Sequence, residues 1–229
     1  RIHHALAKKK AVTIIGPRQV GKSTLADAII PKDAKVLEFN GDSTDVQSMF
    51  VNVDETKMKF LIGNKNFLFV DEAQKIENIG NMLKIVADKF LDVKIIVTGS
   101  SAFKLAEAVN ESLTGRKREF KLYPLSFKEM ADETSTLEEL RMIDHRLIYG
   151  YYPEVVTSPE DEKEVLKELI DSYLYKDIME ENNIAKPDKL VKLVQALAFQ
   201  IGSTVSANEL AGLVGIDAKT VERYIEILE

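Results

Sequence analysis

Eight consecutive residues near the amino terminus have the composition of a phosphate-binding loop. Residues 16–23 read Gly-Pro-Arg-Gln-Val-Gly-Lys-Ser and match the spacing Gly-x4-Gly-Lys-Ser in full. The glycines allow a tight turn in which successive backbone N–H groups point toward an anion. The lysine of such a loop reaches the outer phosphates of a nucleoside triphosphate, and the serine hydroxyl binds Mg²⁺. The residues expected to bind the nucleotide are Gly16, Pro17, Arg18, Gln19, Val20, Gly21, Lys22, Ser23 and Thr24. We also expect Lys22 to act in catalysis and Ser23 to bind the metal.

An acidic pair follows an apolar run farther along the chain. Residues 67–70 are Phe-Leu-Phe-Val, and Asp71 and Glu72 come next. A phosphate loop needs a carboxylate near its Mg²⁺, delivered from the tip of a neighbouring strand, and we expect Asp71 to supply it. An acid directly after it can polarise a water molecule for in-line attack, so Glu72 is the expected general base. The alternative, two solvated acids at a strand end, is weakened by the presence of the phosphate loop.

A polar segment at 98–101 and two arginines are further candidates. Residues 98–101 follow an apolar run, and a hydroxyl there could hydrogen-bond the attacking water or the γ-phosphate; we assign this catalytic role to Ser100, with Thr98 as the alternative. A guanidinium can stabilise charge that develops on the γ-phosphate. Arg116 follows a glycine and suits an exposed tip that reaches a neighbouring subunit, so it is preferred to Arg118. An equally good interpretation is that both arginines are surface residues paired with acids.

An incomplete motif bears on whether the nucleotide carries adenine or guanine. Residues 64–66, Asn-Lys-Asn, resemble part of the guanine-reading signature Asn-Lys-x-Asp but lack its aspartate and lie before the acidic strand. ATP is therefore preferred to GTP, and the expected cofactors are ATP and Mg²⁺.

Strand-like runs and helical patterns alternate over the first half of the chain. Five short runs rich in apolar and β-branched residues read as strands at 11–15, 35–39, 67–70, 94–97 and 119–122. Strands that alternate with helices imply a parallel sheet covered on both faces, and the fold expected for residues 1–126 is a three-layer α/β domain with a P-loop. The strand at 94–97 is expected to lie beside the strand at 67–70.

Helical periodicity replaces the strand pattern after residue 127. Helices are predicted around 137–147 and 161–182, and we assign residues 127–186 to a helical lid. Residues 187–229 form a helix-turn-helix, winged-helix-like unit in which Gly215 supplies the turn. Ser206 is expected to cap its first helix together with Glu209, and Asp217 to cap its second. The outer face of the last helix has three acids and two bases, which favours a structural or subunit-docking role over DNA contact.

Composition excludes several classes of protein. The chain has 229 residues and a formal net charge of −6, so it is not a basic nucleic-acid coat. It contains no cysteine, which excludes disulfides and thiolate chemistry and fits a cytoplasmic protein. No apolar run exceeds four residues, so no membrane segment is predicted. Because the first residue is Arg1 and not Met, we expect either that a start segment has been removed or that the sequence is part of a longer chain.

The ordered set of motifs resembles a family of prokaryotic AAA-type ATPases related to the archaeal ATPases. The matching segments are the phosphate loop, Phe-Val-Asp-Glu-Ala-Gln, Val-Thr-Gly-Ser-Ser, Leu-Thr-Gly-Arg, Leu-Tyr-Pro-Leu-Ser-Phe, Gly-Tyr-Tyr-Pro-Glu-Val and Tyr-Lys-Asp-Ile. The resemblance implies an ATPase core, a helical lid and a winged helix, usually followed by a nuclease-like domain, with a Gly-Arg pair at the position of Arg116. It cannot name the task that ATP performs.

The function expected from these features is Mg²⁺-dependent ATP hydrolysis that drives a conformational switch. The partner would be DNA or a protein, and a homo-oligomer is expected if Arg116 acts on a neighbouring copy. Two alternatives remain open: a P-loop kinase that phosphorylates a small acceptor, and a nucleotide-binding module with negligible turnover.

Overall fold

The computed structural model describes residues 1–51, 53–100, 112–172, 184 and 186–228. The chain divides into two compact units, Arg1–Thr157 and Ser158–Glu229. This division falls inside the predicted lid, and the domain limits 1–126, 127–186 and 187–229 remain predictions. Among the described residues, no helix combines the length and the apolar character that crossing a membrane requires.

The first unit is built on a five-stranded sheet in which every pairing is parallel. The strand order is β2-β3-β4-β1-β5, so the predicted pairing of the strand at 67–70 with the strand at 94–97 is confirmed. The strands are β1 Ala11–Ile15, β2 Val36–Asn40, β3 Phe67–Asp71, β4 Lys94–Gly99 and β5 Lys117–Lys121. The helices that alternate with them are α1 Ile2–Ala7, α2 Lys22–Ile29, α3 Thr44–Met49, α4 Glu55–Ile62 and α5 Ile79–Lys89.

Helices cover both faces of the sheet, as alternation of side chains along a strand requires. On one face, Val12 and Ile14 of β1 belong to a core with residues of α1 and α2. On the other face, Ala11 and Ile15 belong to a core with residues of α4 and α5. This arrangement confirms the expected three-layer α/β fold with a parallel sheet.

The register of the sheet brings the carboxyl ends of β1, β3 and β4 to the same end of the sheet. Ile15 of β1 lies beside Gly99 of β4, and Val70 of β3 lies beside Val97 of β4. The segments that follow β1, β3 and β4 therefore meet at the carboxyl ends of the strands, which is where ligands bind in open parallel sheets.

Short helices complete the first unit after β5. They are α6 Phe127–Glu133, α7 Thr136–Arg141, α8 Ile143–Tyr149 and α9 Pro153–Thr157. Glu139 of α7 is almost fully buried and accepts a 3.0 Å hydrogen bond from Arg146 Nε of α8. This buried ion pair joins the two helices.

The described residues of the second unit contain helices and no strand. Its helices are α10 Glu162–Ile170, α11 Pro187–Ala198, α12 Ala207–Val214 and α13 Ala218–Leu228. The last three share a core that includes Leu193, Leu210 and Val221. Gly215 ends α12 in the left-handed conformation, with φ of 74°, which supports the predicted turn.

The helix caps of this unit agree with the prediction only in part. Asp217 accepts a 2.9 Å hydrogen bond from the backbone N–H of Thr220 at the start of α13, as a cap does. Hydrogen bonds from the Thr220 hydroxyl and backbone also lower the pKa of Asp217. Ser206 makes no side-chain capping bond to α12, so the predicted capping box of Ser206 and Glu209 is absent. Charge–dipole attraction between Glu209 and the first turn of α12 remains available without it.

Candidate nucleotide-binding site

The glycine-rich loop joins the end of β1 to the start of α2. Gly16 has no room for a side chain, because a Cβ there would lie 2.2 Å from the carbonyl oxygen of Leu122. Gln19 and Gly21 have φ angles of 59° and 95°, so two residues of the loop lie in the left-handed region. Alternating backbone conformations of this kind curve the chain into a concave set of N–H groups that favours anions.

The predicted nucleotide-binding residues all belong to this loop and to the first turn of α2. Pro17 and Arg18 are half-buried, Val20 is buried, and Thr24 is exposed. Since α2 begins at Lys22, the positive end of its macrodipole lies at the loop. The loop and the helix together have the form of an anion-binding site.

Lys22 is a buried cation that faces the concave side of the loop. Its Nζ atom donates hydrogen bonds of 3.0 Å to Gly16 O and 2.8 Å to Pro17 O. Glu72 Oε1 is 3.9 Å from the same nitrogen, and the Lys22 side chain is only 4% exposed. A buried ammonium requires such partners, and the oxygen atoms of a phosphate could replace them.

Ser23 and Asp71 are in direct contact. The Ser23 hydroxyl donates a 2.8 Å hydrogen bond to Asp71 Oδ2, and the Thr98 hydroxyl donates to Asp71 Oδ1. The carboxylate therefore joins the start of α2 to the carboxyl ends of β3 and β4. Two predicted metal ligands, Ser23 and Asp71, are brought together.

The donor set at Ser23 and Asp71 fits magnesium. Both residues offer hard oxygen atoms, and Mg²⁺ usually takes one or two protein ligands, with waters and phosphate oxygens completing its shell. Within the described part of the chain, no group of three or more histidine, cysteine, aspartate or glutamate residues could hold a metal ion.

Glu72 is held in an unusual backbone conformation. Its φ of 47° lies in the left-handed region, and it caps a single 3₁₀ turn, Ala73–Lys75. Its N–H donates to Asp71 Oδ1 at 3.2 Å and to Thr98 Oγ1 at 3.3 Å. The chain thereby turns directly after the strand, and the acidic side chain points back toward the loop and Lys22.

Two further residues engage the Glu72 carboxylate. Gln74 Nε2 donates to Glu72 Oε2 at 2.6 Å, and Ser100 Oγ donates to the same oxygen at 3.2 Å. Ser100 is a predicted member of the site, whereas Gln74 belongs to the matching segment Phe-Val-Asp-Glu-Ala-Gln and has no predicted role. Of the two alternatives for the hydroxyl, Thr98 contacts Asp71 and Ser100 contacts Glu72.

Gly41, which directly follows β2, supports the turn that carries Glu72. A Cβ at Gly41 would lie 2.2 Å from the carbonyl oxygen of Glu72, and Gly41 N donates to Asp71 O at 2.8 Å. The next residue, Asp42, accepts a 2.6 Å hydrogen bond from Lys75 Nζ. The segment after β2 is thus packed against the turn that carries Glu72.

Lys75 forms an ion pair between these two segments. Burial by itself disfavours its charged form, but the hydrogen bond and charge of Asp42, aided by Glu72, outweigh burial and raise the pKa of Lys75 above its ordinary value. Lys75 therefore keeps its charge in the ion pair with Asp42, which links the two segments.

Arg116 lies apart from this cluster within its own chain. It directly precedes β5, at the end of the sheet where the strands begin, and its side chain pairs with Asp88 of α5. The phosphate loop begins where β1 ends, at the opposite end of the sheet. The two positions are roughly 20 Å apart, because six residues of strand at about 3.3 Å each separate them. Arg118 is exposed on β5 beside Val12. Neither arginine is brought to Lys22 or Glu72 within one copy.

The outer face of the last helix has the predicted mixed charge. The exposed residues on this face are Asp217, Lys219, Glu222, Arg223 and Glu226. The predicted motif at 175–178 and Ser101 lie outside the described residues.

Comparisons with known proteins place these features in a family. Residues 8–131 match a family model described as an AAA domain, and residues 140–229 match a domain of unknown function. An uncharacterized protein of Methanocaldococcus jannaschii is 27% identical over 96% of this chain and 55% of its own length. Uncharacterized proteins of Haemophilus influenzae and Mycobacterium tuberculosis are 28% and 25% identical, over 72% and 100% of this chain and 44% and 49% of their own lengths. The chain thus spans about half the length of the curated relatives it matches.

A solved structure from work on the structural basis for katanin self-assembly is also similar. It is 20% identical, covers 58% of this chain and 46% of its own, and has a TM-score of 0.36. The family assignment rests on the AAA-domain match, which covers more than half of the chain and includes both the loop at Lys22 and the acidic pair at Asp71. Family membership indicates nucleotide binding and ATPase activity at the level of the family. The chain belongs to the family of AAA-type P-loop ATPases.

Proposed function

We propose that this chain binds ATP with Mg²⁺, hydrolyses it, and uses the reaction to drive a conformational switch that acts on DNA or a protein partner. The observation that carries the proposal is the 2.8 Å hydrogen bond from Ser23 to Asp71, beside Lys22 and Glu72, which are 3.9 Å apart. These four residues come from two segments of the chain that are distant in sequence. Their convergence at a helix N-terminus suits a triphosphate and its metal.

Binding would use the loop and the buried lysine. The N–H groups of the loop and the positive end of α2 attract the phosphates, and Lys22 exchanges its carbonyl partners for phosphate oxygens. Ser23 and Asp71 would hold Mg²⁺, which would neutralise part of the phosphate charge when bound. Asp71 is oriented for this by the hydroxyl of Thr98.

Hydrolysis would use Glu72 as the base. Glu72 accepts a proton from a water molecule as the water oxygen bonds to the γ-phosphorus. The bond between the γ-phosphorus and the bridging oxygen breaks, and ADP leaves with the electron pair of that bond. The proton and the new phosphate are then released. Ser100, which contacts Glu72, takes part in this catalytic group.

A second copy of the chain would supply Arg116. The arginine is half exposed and lies at the edge of the sheet opposite its own loop, which supports action on a neighbour's γ-phosphate rather than on its own. The ion pair with Asp88 is not an obstacle, since pairs this exposed contribute little to stability. A homo-oligomer is thus part of the proposal.

The switch would involve the helical unit that follows the core. That unit has its own hydrophobic core and matches a family model of unknown function. Its last helix presents three acids and two bases outward, so a protein partner fits this surface at least as well as DNA. A cytoplasmic location, which the lack of cysteine fits, completes the proposal.

Phosphate release measured with and without DNA tests the proposal. Wild-type protein should release phosphate from Mg²⁺-ATP, and Lys22→Ala should neither bind ATP nor release phosphate, because the loop loses its buried cation. Lys65→Ala, which removes an equal charge from an exposed position, should behave as wild type. Transfer of the phosphate to another molecule would instead indicate a kinase, and binding without release would indicate a nucleotide-binding module.

A further inference from the structure

The side-chain amide of Gln74 connects two members of the site. Its Nε2 atom is 2.6 Å from Glu72 Oε2 and 2.9 Å from Ser100 Oγ, and it donates to both. The Ser100 hydroxyl in turn donates to Glu72 Oε2 at 3.2 Å. The three side chains form a closed triangle in which the carboxylate oxygen accepts two hydrogen bonds.

The orientation of the amide follows from the charge of its neighbour. A carboxylate only accepts hydrogen bonds, so the –NH₂ end of Gln74 must face Glu72, and the two N–H bonds serve Glu72 and Ser100. Gln74 Oε1 is buried and accepts no hydrogen bond from any residue that the structure describes. The hydrogen bonds on the nitrogen therefore fix the orientation of the amide.

The backbone also directs Gln74 to Glu72. Gln74 lies in the 3₁₀ turn that begins at Glu72, so a side chain two residues later can reach back to the carboxylate. Gly41 packs against Glu72, and Lys75 pairs with Asp42, so the segment after β2 holds this turn in place. An amide in this position donates a hydrogen bond to the Glu72 carboxylate without forming an ion pair. A lysine or arginine there would pair with the negative charge of the carboxylate.

The two oxygens of Glu72 are consequently not equivalent. Oε2 accepts from Gln74 and Ser100, whereas Oε1 is the oxygen 3.9 Å from Lys22 Nζ. Lys22 also donates to the carbonyls of the phosphate loop, so Oε1 is the oxygen turned toward the loop.

We propose that Gln74 is a positioning residue for catalysis, which fixes Glu72 Oε2 so that Oε1 faces the phosphate loop and accepts the proton of the attacking water. This inference rests on the proposed function. Ser100 acts in the same triangle, as the acceptor of the second Gln74 bond and a second donor to Glu72. Displacing a reacting group by about 1 Å can lower a rate by roughly 100-fold, so a lost positioning contact is measurable.

The test replaces Gln74 by methionine, which has a similar length but no N–H donor. Single-turnover hydrolysis by Gln74→Met should be slower by roughly 10-fold or more, while the Kd for ATP stays within about twofold of wild type. Gln195→Met, the same change at an exposed position on α11, should leave both quantities unchanged. Unchanged hydrolysis in Gln74→Met would overturn the inference, and so would a loss of ATP affinity as large as the loss of rate.

A double-mutant cycle separates positioning from a merely structural role. If Gln74 acts through Glu72, then Gln74→Met should slow Glu72→Gln no further, because the group it positions is already gone. A full additional loss in the double variant would show that Gln74 acts independently of Glu72. If Gln74→Met does not fold, Ser100→Ala should give the same slow hydrolysis and the same absence of further loss. Wild-type turnover in Glu72→Gln would refute Glu72 as the base and the inference with it. Absence of phosphate release from Mg²⁺-ATP by the wild-type protein, by contrast, would refute the proposed function itself, whatever Gln74 does.

Discussion

Ser23 and Asp71 are 48 positions apart in the sequence, yet the Ser23 hydroxyl donates a 2.8 Å hydrogen bond to Asp71 Oδ2. The contact exists because β3 and β1 lie on either side of β4, so their carboxyl ends open on the same edge of the sheet. It joins the phosphate loop to the acidic strand end, and it is the relationship on which the metal prediction depends.

We expect Ser23→Ala and Asp71→Asn to weaken the dependence of ATP binding on Mg²⁺. Each change removes one of the two oxygen donors proposed to hold the ion, whereas Lys22 remains to attract the phosphates. Calorimetric titration with ATP at increasing Mg²⁺ concentrations measures this directly. Thr204→Ala, which removes an exposed hydroxyl outside the loop and α2, is the matched control. A Mg²⁺ dependence that is unchanged in both variants would exclude this pair as the metal site.

Glu72→Gln should retain ATP affinity and lose turnover. The amide keeps the size of the side chain but cannot accept the proton of the water, so the rate should fall roughly 100-fold or more. Phosphate release and ATP affinity are measured on the same preparation. If Glu72→Gln and Asp71→Asn lost ATP binding equally, the roles of base and metal ligand would have been assigned wrongly.

Arg116→Ala should bind ATP normally but hydrolyse it slowly. An arginine supplied by a neighbour accelerates other P-loop enzymes by roughly 10³-fold or more, and specific activity should rise with protein concentration as copies associate. Mixing Arg116→Ala with Lys22→Ala should restore part of the activity, because the second variant binds no ATP but keeps its arginine.

Two variants serve as comparisons for the Arg116 experiment. Arg118→Ala tests the alternative residue, and Arg223→Ala removes an exposed arginine from α13. Activity per molecule that stays constant over a hundredfold dilution, with an inactive mixture, would show that Arg116 does not act on a neighbouring copy.

Gly41→Ala should lower turnover more than ATP binding. The new Cβ would lie 2.2 Å from the carbonyl oxygen of Glu72, so the turn carrying the base must move. Overpacking of this kind costs about 1–3 kcal/mol of stability, which thermal unfolding would register. Gly212→Ala is the matched control, since no atom lies within 4 Å of its added Cβ and it lies in α12, where alanine is the better helix former. Normal turnover in Gly41→Ala would mean that the turn can shift without moving Glu72.

The sequence alone determined the phosphate loop, the strand succession and the fold class. A glycine spacing and a run of apolar residues are local signals, and a central strand such as β1 is buried along its whole length, so its residues are all apolar or small. The limits of β5 were less well predicted, at 119–122 instead of Lys117–Lys121. This strand lies at the edge of the sheet and is largely exposed, so it lacks a continuous apolar pattern.

The tertiary structure decided which distant residues share the site. Gly41 is constrained by the carbonyl oxygen of Glu72, and Gln74 by the hydroxyl of Ser100, which follows a different strand, and neither contact has a local sequence signal. The position of Arg116 likewise follows from the parallel pairing of β5 with β1. This pairing puts Arg116 at the end of the sheet opposite the phosphate loop. Residue type and spacing specify what a side chain can do, because chemistry is local. Strand order and register specify what it meets, because those contacts form only when the sheet is assembled.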